Sequence, residues 1–168
     1  QFSPPHLGRI VINQFIEGSD GADGYQAYLG AAGMATAGYA VLEFENSGGQ
    51  VVDDPTATGG QYRYMHPGHV ACFDFETPEG GEHTFWLRSR GYVPPEVRVT
   101  VGTESWMVLN RLNETFWQDK VGSAVLDPGG HTVCVSPQST TLDADALIVI
   151  PTGAARSIAA GAISMMAN

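Results

Sequence analysis

Ala71-Cys72-Phe73-Asp74-Phe75-Glu76-Thr77-Pro78-Glu79-Gly80-Gly81-Glu82-His83-Thr84-Phe85-Trp86-Leu87-Arg88 sets two alternating runs on either side of a turn. In the first run Ala71, Phe73 and Phe75 alternate with Cys72 and Asp74. In the second, His83, Phe85 and Leu87 share one side, and Thr84, Trp86 and Arg88 the other. A period of two marks a half-buried strand, because successive side chains of an extended chain point to opposite faces. Pro78-Glu79-Gly80-Gly81 is turn chemistry.

The pattern recurs outward from this stretch. Val97, Val99 and Val101 face away from Arg98 and Thr100, and Asp127-Pro128-Gly129-Gly130 marks a further turn. Strands are expected near 10–16, 39–46, 61–65, 69–76, 82–90, 96–102, 105–109, 115–125, 131–136 and 145–150. Many short strands with little helical periodicity imply an all-β domain, a jelly-roll β-sandwich. No internal repeat is evident.

Both ends differ from this middle. Residues 1–38 hold an apolar N-terminal strand, Arg9 to Ile16, followed by a Gly-, Ala- and Asp-rich stretch over 17–38 that reads as a long loop. Residues 39–151 form the sandwich. Residues 152–168 are an apolar C-terminal tail of small residues carrying Ile158, Ile163, Met165 and Met166. Two readings of the ends stand: they fold back on their own domain, or one supplies a strand or plug to a neighbouring copy. In the second, Ile10, Ile12, Phe15, Ile158 and Ile163 are the assembly residues.

Eight Lys plus Arg against eighteen Asp plus Glu give a net charge of −10 in 168 residues, with Lys120 the sole lysine. Such a surface repels a phosphate backbone or an anionic membrane, so a nucleic-acid role is not expected. Nor is membrane insertion, for no apolar run approaches the roughly 20 residues a spanning helix needs. An apolar share of 43% supplies a packed core. The chain starts at Gln1 rather than Met, which fits a removed secretion signal. Two cysteines, Cys72 and Cys134, have no metal-ligand spacing. They are either buried thiols on separate strands or one disulfide in an oxidising compartment.

Catalytic signatures are missing: there is no Gly-x-Ser-x-Gly elbow, His-Glu-x-x-His, phosphate loop or dinucleotide fingerprint, and no enzyme activity is expected. His66-Pro67-Gly68-His69 reads as a surface turn and Asp53-Asp54 ahead of Pro55 as a solvated one. Glu17, Asp20 and Asp23 put carboxylates on a Gly-rich stretch without the EF-hand spacing. Asn113-Glu114-Thr115 is a glycosylation sequon.

From about Tyr39 to Pro151 the order of features resembles the carbohydrate-binding modules of the galactose-binding-like jelly-roll type, which accompany secreted polysaccharide-degrading enzymes. Val41-Leu42-Glu43-Phe44-Glu45 is similar to their opening Glu-x-Glu strand, and Gly59-Gly60-Gln61-Tyr62-Arg63-Tyr64 to the Gly-Gly-x-Tyr turn and strand that follows. His83 to Arg88, Trp106, Phe116-Trp117, Leu126 to Val133 and Leu142 to Ile150 then come in the family's order. The resemblance implies a non-catalytic, extracellular glycan-binding domain. It also implies a structural calcium at Glu43, Glu45 and Asp145, with Asp143 as a close substitute. The sugar site it implies lies in loops at one end, with Tyr64 and Trp117 as the best-matching aromatics and Tyr62, Tyr92 and Trp106 as alternatives. An aromatic ring suits a pyranose because the axial C–H face is apolar while hydroxyls ring the edge. Thr140 and Thr141 stand where the family often has asparagine. The alternative reading is a structural subunit of an extracellular fibre or coat, assembling with copies of itself by strand exchange through its ends.

Overall fold

In the computed structural model the described residues are 10–11, 28–29, 39–91, 96–109 and 113–154. They are strands β1 (Ile10–Val11), β2 (Tyr28–Leu29), β3 (Ala40–Glu43), β4 (Gln50–Asp53), β5 (Gln61–Met65), β6 (Ala71–Thr77), β7 (Gly81–Gly91), β8 (Glu96–Val101), β9 (Glu104–Leu109), β10 (Asn113–Leu126), β11 (Gly129–Pro137) and β12 (Leu142–Pro151), with a 3-10 turn at Phe44–Asn46. No helix among the described residues is long and apolar enough to cross a membrane.

One sheet runs β10-β7-β12-β5-β4, and a second runs β6-β11-β8-β9. Every pairing is antiparallel. The far edge of β12 is shared: β5 pairs with Leu142 to Ala144 and β3 with Ala146 to Val149. Between the sheets lie Phe85, Leu87, Leu147 and Val149 from the first, and Phe75, Val99, Val133 and Val135 from the second. Phe75 and Phe85 meet across the gap edge to face, ring centres 5.9 Å apart. This is the β-sandwich the alternation implied, and burying those side chains drives it together.

The turn after β6 needs glycine. Gly80 and Gly81 have φ of +67° and +98°, where a Cβ is disfavoured, and a Cβ on Gly80 would also strike the Leu126 carbonyl.

Several expectations are corrected. The strand expected over 39–46 stops at Glu43, because the 3-10 turn swings Phe44 fully into the core. A strand at 50–53 went unforeseen: its four residues are mostly exposed and take their order from pairing with β5. The stretch 17–38 is not all loop, since Tyr28–Leu29 pairs with Ile10–Val11 in a separate two-stranded sheet. Strands β7 and β12 are also buried on both faces rather than one: Trp86, Arg88, Ile148 and Ile150, which point away from the inter-sheet core, are at most 8% exposed. Cys72 and Cys134 stand opposite each other on β6 and β11 and form a disulfide. The described chain ends at Ala154, after Thr152 donates to the Glu82 carbonyl.

Candidate functional site

Period-two geometry puts Arg88 and Arg90 of β7 on one face, with Asp143 and Asp145 of β12 beside them. Arg90 pairs directly with Asp143 in the ladder. The register then slips between Ala144 and Ala146, leaving Asp145 in a bulge, a device that re-aims a side chain. Asp145 is fully buried. Its carboxylate accepts from Arg88 Nε at 2.8 Å and from Thr58, both backbone N–H (3.0 Å) and Oγ1 (3.1 Å). Arg88 also donates to Gln118 Oε1 at 2.7 Å and to the Thr56 carbonyl at 3.3 Å. Burial pushes the Asp145 carboxyl up to about 6, against the pull of Arg88 and Thr58.

Thr58 links this pair to the two glutamates. Its hydroxyl lies 3.4 Å from Glu43 Oε1 as well as near Asp145, and can donate to one of them at a time. A Cβ built on neighbouring Gly59 would overlap the carboxylates of both Glu43 and Glu45. The glutamates therefore converge on a cradle that only glycine leaves open. Burial, and then the Glu43 charge, raise the Glu45 pKa. Among the described residues no Lys or Arg is ion-paired with either glutamate. That donor set fits a hard cation in part: two carboxylates suit calcium, but no three acidic, His or Cys side chains gather as a metal-holding set among the described residues.

Asp143 is elsewhere. With Tyr62, Tyr64, Arg90, Gly91, Thr140 and Thr141 it lines a cavity of about 360 Å³. Tyr62 and Tyr64 share a face of β5, and Tyr64 lies directly across from Asp143, so Arg90, Asp143 and Tyr64 form one row over three strands. Arg90 donates from Nη1 to Asp54 Oδ2 at 2.7 Å and from Nε to Asp143 Oδ2 at 3.2 Å. Its guanidinium sits 4.4 Å from the ring centre of Phe116 and 4.9 Å from that of Tyr62, within cation–π range. Burial raises the Asp143 pKa, and burial followed by the Asp143 charge raises that of Tyr62. Past Tyr64, the rings of His66 and His69 continue an edge-to-face series on an exposed turn, at 5.0 and 5.3 Å.

The structure thus splits the expected residues. Tyr62 and Tyr64 come together beside Thr140 and Thr141. Trp117 is half-buried on β10 opposite Ser89, where alternation turns it to the other face from Phe116, and it does not line the cavity. Trp106 packs on Phe85 at 5.6 Å, over the space Gly122 leaves, so its role is in the core. Glu43 and Glu45 converge, Asp145 reaches them through Thr58, and Asp143 belongs to the cavity. Asp54 is not simply solvated, being held by Arg90. Ile10 lies opposite Leu29. Tyr92, Ile12, Phe15, Ile158, Ile163, Glu17, Asp20 and Asp23 lie outside the described residues. Arg90, Phe116 and Asp54 were missed. The Arg88-x-Arg90 and Asp143-x-Asp145 spacings were a readable signal for the first, but nothing local marks Asp54 as its partner.

No protein-family model matches the sequence, and a sequence search of curated proteins returns no match. The fold does match solved structures. A family 35 carbohydrate-binding module from Clostridium thermocellum aligns at TM-score 0.53 and 14% identity, over 68% of this chain and 98% of that one. A family 35 module from Cellvibrio japonicus aligns at TM-score 0.53 and 15% identity, over 67% and 92%. An exo-β-1,3-galactanase from Phanerochaete chrysosporium aligns at TM-score 0.57 and 18% identity, over 78% of this chain and 32% of the enzyme. The chain spans only 26% of a similar ruminal GH26 mannanase and 28% of a Podospora anserina GH26 mannanase. At these identities the likeness establishes the fold, the jelly roll of such modules.

Proposed function

We propose that the domain is a non-catalytic glycan-binding module whose sugar lies in the Tyr62–Tyr64 cavity. The observation that carries this is the cavity itself: two tyrosines on one strand face, with Thr140, Thr141, Asp143 and Arg90 around them, on a jelly roll shared with solved carbohydrate-binding modules. Rings for the C–H face beside hydroxyl and carboxylate partners for the edge are what a pyranose requires. A binding rather than hydrolytic role is supported by the acids present. Among the described residues Asp143 is the sole carboxylate lining the cavity, and it and Asp54 are both held by Arg90, whereas glycosidases oppose two separately tuned carboxyls across the bond. The Cys72–Cys134 disulfide favours an extracellular setting. Calcium bridging Glu43 and Glu45 would supply the charge their cradle lacks, with backbone carbonyls and water completing its oxygen shell. Affinity electrophoresis and calorimetry against soluble plant and microbial polysaccharides test the reading. Binding that falls at least tenfold in Tyr64→Ala is expected, and binding indifferent to Tyr64 refutes it.

A second reading, self-association, is favoured by one feature: among the described residues the β1–β2 pair belongs to neither large sheet. Strands outside the sandwich are ones that a neighbouring copy can pair with. Light scattering of the full chain and of one lacking residues 1–16 decides it: particles that collapse on truncation support assembly, and monomers in both cases end it.

A further inference from the structure

Among the described residues Arg90 is the one basic side chain lining the cavity, and an arginine in a sugar site ordinarily invites a carboxylate, which its planar fork grips with two hydrogen bonds. Here the fork is already in use. Nη1 donates to Asp54 at 2.7 Å, Nε donates to Asp143 at 3.2 Å, and the rings of Phe116 and Tyr62 pack within 4.9 Å of the guanidinium. Two carboxylates on one guanidinium leave the group negative rather than positive. Resting on the glycan-binding reading above, we infer that this cavity selects neutral sugars and rejects uronic acids, because Asp54 and Asp143 have taken the cation a sugar carboxylate would need.

The charge balance supports this from three sides. Among the described residues no Lys, His or second Arg lines the cavity to receive another anion. A uronate carboxylate reaching Arg90 would come beside Asp143, and like charges in a partly desolvated site repel. The chain as a whole, at −10, adds to that repulsion at low salt. Sugar hydroxyls meet the opposite situation. Asp143 uses Oδ2 toward Arg90, and its Oδ1 accepts from no described residue, so a hydroxyl can donate to it. Thr140 and Thr141 add hydroxyl partners on the same wall. Burial also raises the Asp143 pKa, as it does where a site resists further negative charge.

The test compares neutral polymers (galactomannan and β-1,3-galactan) with polygalacturonate and glucuronoxylan, by affinity electrophoresis and calorimetry on the full chain at low salt. At least tenfold preference for a neutral polymer is expected. Asp143→Asn and Asp54→Asn should each narrow that ratio by about tenfold, the worth of one charged hydrogen-bond partner. The wild-type comparison decides the matter even if one variant fails to fold. A uronate preference that Tyr64→Ala abolishes overturns the selectivity and leaves the glycan-binding reading standing. Binding to neither class overturns both.

Discussion

Arg88 Nε donates to Asp145 Oδ2 over 2.8 Å with the two side chains 2% and 0% exposed, the most deeply buried ion pair among the described residues. It ties β7 to the bulge of β12 and, through Thr56 and Thr58, fastens the segment between β4 and β5 over that face. Removing one partner of a buried pair strands the other charge. Arg88→Ala or Asp145→Ala is therefore expected to cost about 3–5 kcal/mol, and an apolar double replacement such as Arg88→Met with Asp145→Leu distinctly less than either. Urea unfolding at neutral pH measures it, and single losses below about 1 kcal/mol would show the pair to be solvated.

Asp54 gives a pH dependence. Burial alone would raise its pKa, but hydrogen bonds from Thr56 N–H and Oγ1 and from Arg90 outweigh it and hold the carboxyl below its ordinary 3.8. A folded pKa below the unfolded one means the stabilisation is fully present above about pH 4 and is lost as pH falls through the folded value. Asp54→Asn should cost about 1–2 kcal/mol at pH 6 and progressively less as pH falls below 4. Unfolding curves at pH 6 and pH 3 check it, and an equal cost at both would assign the loss to packing.

The disulfide is directly reachable by reductant, since Cys72 lies on the exposed face of β6. Its sequence separation of 62 residues corresponds to about 4 kcal/mol of loop-closure entropy in the unfolded chain. Reduction, or Cys72→Ser with Cys134→Ser, is expected to lower Tm by roughly 8–16 °C while leaving far-ultraviolet circular dichroism unchanged below the transition. A Tm unaffected by reductant would contradict the bridge.

Calcium should stabilise the fold through Glu43 and Glu45. At a hundred times its dissociation constant a native-state ligand adds about 2.7 kcal/mol, or roughly 5–10 °C in Tm for a chain of this size. EDTA should reverse the shift and Glu45→Gln should abolish it. Differential scanning calorimetry with and without the ion checks this, and no calcium response in the wild type would leave the two glutamates as a bare acidic pair.

Much of the architecture was legible because a strand writes its faces into the sequence. Phe85 and Leu87 against Trp86 and Arg88, or Val97, Val99 and Val101 against Arg98, announce extended chain whatever surrounds them. The cavity was half legible. Tyr62 and Tyr64, two apart on one strand, must share a face, and the ordered resemblance pointed to them. Trp117 and Trp106 carried the same chemical promise, yet one is turned to the other face of β10 and the other fills the space over Gly122. Aromatic identity alone does not separate a stacking platform from core.

By itself the sequence determined strand, turn and charge: period two, the Gly80–Gly81 turn that tolerates positive φ, and a net charge of −10. These are local or summed properties, independent of which strands meet. Only the tertiary structure decided that Asp145 pairs with Arg88 and meets Glu43 only through Thr58, while Asp143, two residues away, joins Arg90. A single bulge separates their fates, and a bulge exists only in a paired ladder. It likewise decided that Cys72 meets Cys134 and that Asp54 neutralises Arg90 from 36 residues away. Such contacts follow from sheet order and register, set by the balance of burial over the whole core rather than by any stretch within it.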